Sequence, residues 1–149
     1  MAHGRRDSGQ GYRAVRMMRQ KIIGVFPCGF EDVELVLRSG NGAEFYNCPG
    51  RGEIARIKIG ADVKEWRDVV SALVHEATEY TMNRLRCRFD RSYDMGNDAS
   101  SYLFVLDHPT FSDCCARVAT FLVEALPQLS REWDRWRKRK KSTPKGKRV

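Results

Sequence analysis

The stretch Val74-His75-Glu76-Ala77-Thr78-Glu79-Tyr80 places an imidazole and two carboxylates within five residues. On a helix turning about 100° per residue, His75 and Glu79 lie about 40° apart. They fall almost opposite an apolar stripe centred near Leu73, and Glu76 sits on the flank between. Two donors at i and i+4 can point at one ion, and a carboxylate at i+1 reaches water held there. Imidazole suits zinc, and Glu is an acceptable hard ligand. A third donor must come from another element. His108 is the best candidate, because it follows a buried apolar strand and precedes a helix. Asp107 beside it would be a ligand or a partner to one. His3, in a Gly- and Arg-rich leader, is a poor choice. An ordinary solvated helix face carrying an i,i+4 His–Glu contact explains the same residues, so both readings stand here.

His75-Glu76-Ala77-Thr78-Glu79 resembles the HExxH helix of zincin metallopeptidases, with Glu79 in place of the second His. The small sheet preceding this helix is also similar to minimal zincin-like domains, and the resemblance spans about residues 43–86. It implies His75 as first ligand, Glu76 as general base and Glu79 at the second ligand position, with zinc as cofactor. The Glu lowers the charge of a zinc site by one unit and makes its water less acidic. The third-ligand signatures of that family are not visible downstream, and His108 matches neither.

Other chemistry is thinner. There is no Walker A loop, GxGxxG or GxSxG. The five cysteines (Cys28, Cys48, Cys87, Cys114, Cys115) are odd in number and lack CxxC spacing. They read as reduced thiols of a cytoplasmic protein rather than a disulfide framework. Cys87 lies between Arg86 and Arg88 without a neighbouring base, and Cys28 reads as a turn residue. Near the C-terminus, Trp133 and Trp136 alternate with bases through Arg137, Lys138, Arg139, Lys140 and Lys141. Such a segment can touch phosphates nonspecifically. The i, i+4, i+7 spacing of Leu129, Trp133 and Trp136 predicts tryptophans docked on the body, with the bases in solvent.

The elements that must position these groups follow from periodicity. Lys21–Phe26, Asp32–Leu37, Ala43–Asn47 and Glu53–Ile59 read as strands, with Ser39–Gly42 and Cys48–Gly52 as turns. After Gly60 the period becomes helical. Asp62 and Glu65 resemble a capping box, and a helix is expected from Val63 to about Arg86. Its stripe is Trp66, Val69, Val70, Leu73, Ala77 and Tyr80. Residues 90–100 read as a loop and Tyr102–Leu106 as a strand. A second capping pattern, Thr110 with Asp113, opens a helix that Pro127 interrupts. The expected fold class is α+β. An antiparallel four- to five-stranded sheet would pack against a long central helix and a C-terminal helical pair.

The 149 residues carry a net charge of +8. Residues 131–149 hold ten Lys/Arg and two Asp/Glu, and residues 1–20 five Arg and one Asp. The middle is therefore acidic, at −4. The expected organisation is a flexible basic leader (1–19), one α+β domain (20–136) and a disordered basic tail (137–149). No apolar run approaches a membrane span, and no secretory signal is visible. Two functions are compatible with this pattern. One is a zincin-like metal-binding domain, with metal-dependent hydrolysis. The alternative is a non-enzymatic bacterial or phage accessory protein that binds a protein or nucleic-acid partner through its basic ends.

Overall fold

The computed structural model describes residues 19–47, 52–90 and 102–142. The expected leader up to residue 18, the expected turn residues 48–51 with Cys48, the expected loop residues 91–101 and the expected tail from residue 143 lie outside the described residues. So do the side chains of Lys141 and Ser142, of β5 and of most of β6.

Strands β1 (Gln20–Cys28), β2 (Glu31–Arg38), β3 (Ala43–Tyr46) and β4 (Ala55–Gly60) form one sheet in the order β1-β2-β4-β3. All four expected strands are present, but the sheet is mixed rather than antiparallel. The β1–β2 and β3–β4 pairs are antiparallel, whereas β2 and β4 run parallel, with Leu37 opposite Ile59. The reason lies in the Ser39–Gly42 turn. Instead of folding β3 back beside β2, it passes over the end of β4. Gly60 N–H donates to Gly42 O at 2.8 Å, and Ala61 N–H to Arg38 O at 2.8 Å. A side chain on Gly60 would meet Gly40 O at 2.5 Å, so glycine permits the crossing. β4 thereby enters between β2 and β3. The apolar run Val33, Leu35, Val36 and Leu37 suits a central strand, and all four are buried.

The expected fifth strand does not join this sheet. β6 (Tyr102–Phe104) pairs with β5 (Arg88–Asp90) in a separate two-stranded ribbon.

Helix α1 (Trp66–Arg84) packs Val69, Leu73, Ala77 and Tyr80 on the sheet. Glu65 is its N-cap, without a side-chain cap bond. Asp62 is engaged elsewhere: its Oδ2 accepts Gly40 N–H at 2.9 Å, which fastens the crossing turn to the β4–α1 junction. At the other end Arg86 adopts φ 59°, and Cys87 N–H donates to Met82 O at 2.9 Å. This is a Schellman-type closure with a non-glycine residue in the left-handed position.

The expected C-terminal helical pair is one continuous helix, α2 (His108–Ser142), about 52 Å long. Pro127 lies within it and costs a backbone hydrogen bond. The proline and Val123, whose carbonyl loses its donor, are both exposed, so water can satisfy that oxygen. Ala125 and Leu129, on either side, are fully buried and hold both halves to the same body. The helix also runs past Arg137, so the expected tail boundary falls inside α2. Asp107 Oδ1 accepts Thr110 N–H at 2.8 Å and caps α2, whereas Asp113 pairs with Arg117. α2 runs antiparallel to β1: Lys21 pairs with Glu132, and the Cys28 thiol lies against Arg117 O. No helix among the described residues is long and apolar enough to cross a membrane.

Candidate metal centre

α1 holds His75, Glu76 and Glu79 near the edge of the sheet. Its most extensive contacts to the sheet are with β3 and β4, and β3 is an edge strand. The flank carrying Ala72, Glu76 and Glu79 therefore turns toward the edge, not into open water. Glu76 is only 8% exposed, and the Glu79 side chain 16%. His75, at 71%, is the one member facing outward. The expectation that His75 and Glu79 both face away from the core thus holds for His75 alone. Helix periodicity fixes angles about the axis but not where a neighbouring edge strand ends.

His75 Nε2 stands 3.4 Å from Glu79 Oε2. One ligand atom from each of His75, Glu76 and Glu79 lies within 4.8 Å of the others. Among the described residues this is the one group of His, Cys, Asp and Glu side chains with metal-ligand spacing. Ala43, Asp68, Ser71 and Ala72 border the shallow depression of about 380 Å³ beside His75 and Glu76. One imidazole and two carboxylates form a donor set that a divalent ion can accept.

His108 is not part of this group. It opens α2, exposed, with Nδ1 3.5 Å from Ser112 Oγ. Val105, three residues earlier, donates to Cys87 O beyond the C-terminal end of α1. His75 is mid-helix, roughly 13 Å along the axis from Arg84. The third side chain of the group is Glu76 and not His108. Asp107, expected beside it as a ligand or support, is used as a helix cap. The Thr110 hydroxyl, then its backbone N–H, hold the Asp107 carboxyl below the usual range.

Two polar clusters had no clear sequence signal. Glu31 accepts the Tyr80 hydroxyl and Arg84 Nε, each at 2.7 Å. The Arg84 bond is the main reason the Glu31 carboxyl lies low, while burial and then the Glu31 acceptor push the Tyr80 hydroxyl well up. Asp62 is the second. Besides Gly40 it accepts Lys140 Nζ at 3.0 Å and Trp136 Nε1 at 3.4 Å.

The tryptophans dock on the body as their spacing predicts. Trp133 and Trp136 are buried, Trp133 Nε1 donates to Ala61 O at 3.3 Å, and its ring lies 5.5 Å from that of Trp66. Arg137, Lys138, Arg139 and Lys140 are exposed. Cys28, Cys87 and Cys114 are buried and Cys115 is exposed, all as free thiols. Burial pushes the Cys114 thiol up to about 11, and Cys28 also rises, chiefly through burial, so neither is an activated nucleophile. No protein-family model, curated protein or solved structure matches the chain.

Proposed function

We propose that this chain is a zincin-like domain that holds a zinc-type divalent ion on α1 and uses it in hydrolysis, with peptide amides as the substrate class suggested by the resemblance. The observation that carries this reading is the 3.4 Å between His75 Nε2 and Glu79 Oε2. Two donors on one tetrahedral zinc, with bonds of about 2.0–2.1 Å, stand about 3.4 Å apart. The pair therefore has the spacing of a tetrahedral edge.

A bound ion would supply Lewis acidity toward water and a substrate carbonyl. His75 and Glu79 would hold it. Glu76, low in exposure and adjacent to both, takes the proton of the attacking water and returns it to the leaving amine. With His75 and Glu79 as its chain ligands, a bound ion would keep positions for water and substrate, with one chain ligand fewer than the usual three of a catalytic zinc. The negative charge of Glu79 would make water on such an ion less acidic than a second imidazole would, so activity should rise toward higher pH. The buried free thiols fit a cytoplasmic, reducing setting.

Elemental analysis tests the reading. The unsubstituted chain should carry near one zinc, and His75→Ala and Glu79→Ala should lose it. Glu76→Gln should keep the metal and lose peptide hydrolysis. Absence of metal from the unsubstituted chain, or its full retention in His75→Ala, overturns the proposal.

A further inference from the structure

The two basic ends, remote in sequence, meet at one pole of the fold. The Arg19 guanidinium lies 5.0 Å from the Trp136 ring centroid, where β1 begins and α2 nears its end. This follows from the antiparallel course of β1 and α2, pinned by the Lys21–Glu132 ion pair. Arg137 covers the Trp133 ring at 4.6 Å beside them. Arg19, Arg135, Arg137, Lys138, Arg139 and Lys140 are all exposed at this pole. The chain adds four further Arg before residue 19 and three further Lys/Arg after residue 142, while residues 21–130 are net acidic. Among the described residues, basic side chains from both ends of the chain thus gather at one place.

We propose that this pole is a single binding surface for duplex nucleic acid, built jointly from both ends and acting through phosphate contacts. The chemistry of the indoles selects the duplex. Trp133 and Trp136 are buried, their N–H groups are given to Ala61 O and Asp62, and arginines cover their rings. They offer no face for unpaired bases to stack on, which is what single-strand binding needs. What remains is positive charge, and a duplex presents about one phosphate per 1.7 Å of axis. The same residues disfavour an anionic membrane. Trp133 and Trp136 are the only apolar side chains in residues 131–140, and both face the body, so no apolar stripe is left to insert. Glu132 and Asp62 hold Arg135 and Lys140, which limits the contacts to about four to six phosphates.

Fluorescence anisotropy of the full chain with a short mixed-sequence DNA duplex tests this. The log–log salt slope should be about −4 to −5, a loss on the order of 10²–10³ in affinity between 50 and 200 mM salt. Lys138→Glu with Arg139→Glu should weaken binding at least tenfold. Arg19→Ala, at the other end of the chain, should reduce the slope by about one. Circular dichroism checks that each variant stays folded. A slope unaffected by Arg19→Ala overturns the joint surface. Tighter binding of the single strand, or binding of phosphatidylserine vesicles without duplex binding, overturns the duplex assignment. His75→Ala should leave duplex binding unchanged, so this proposal and the metal reading fail separately.

Discussion

A Cβ on Gly60 would sit 2.5 Å from the carbonyl oxygen of Gly40, closer than real Cβ contacts allow. The next nearest atoms belong to the Asn41 backbone, so no flexible side chain can move aside. Gly60→Ala should therefore destabilise the fold by about 1–3 kcal/mol, read as a lower denaturant midpoint with little change in slope. A neutral outcome would mean that the crossing turn is not held against β4.

Pro127 stands exposed in the middle of α2 without a backbone donor. Pro127→Ala restores the bond to Val123 O and should raise stability by about 1–3 kcal/mol, seen in thermal unfolding. A loss of stability would show that α2 depends on the proline's geometry.

Arg86 closes α1 at φ 59°, where a side chain is strained. Arg86→Gly should be stabilising by about 1 kcal/mol, despite the greater freedom of glycine in the unfolded chain. Urea unfolding measures it, and a destabilised variant would argue against the Schellman-type closure.

Burial acts to raise the Asp62 carboxyl pKa, but Gly40 N–H, Lys140 and Trp136 outweigh it and hold the group below its usual value. Its contribution is thus full above the unfolded value near pH 3.9 and is lost as pH falls through the lower folded value. Asp62→Asn should melt below the unsubstituted chain at pH 7, and the gap should close toward pH 2. A constant gap would assign the effect to shape rather than charge.

Glu79→His would complete the HExxH pattern on α1. If the 3.4 Å His75–Glu79 edge holds an ion, zinc affinity should rise on the order of tenfold, about 1.4 kcal/mol, by isothermal titration. Unchanged or weaker binding would place the ion elsewhere.

The elements were readable because their signals are local. Val33, Leu35 and Leu37 alternate, and Leu73, Ala77 and Tyr80 recur at helical spacing, so β2 and the buried stripe of α1 were expected near where they lie. The strand order was not readable, because it depends on Gly60 lying under a turn that precedes it by about twenty residues. Ser39–Gly42 looks the same whether it folds a hairpin or crosses a strand. Pro127 misled for a related reason: the sequence shows the missing donor but not the burial of Ala125 and Leu129 that outweighs it. At the site, His75 and Glu79 were legible from i,i+4 spacing. The enclosure of Glu76 was not, since it comes from the edge of a sheet whose order was unknown. His108 was chosen for its place after a strand, and that strand pairs with β5 instead of the main sheet.

The antiparallel neighbours β1 and α2 give the molecule a mechanical direction. Their outer ends meet where Arg19 covers Trp136. Tension drawing those ends apart loads the Lys21–Glu132 contact first and then each contact behind it, down to Cys28 and Arg117. Contacts that break one after another yield at lower force than contacts sheared together. A pull that parts those two ends would open the fold contact by contact, whereas a pull along the strand direction would load the parallel β2–β4 ladder all at once.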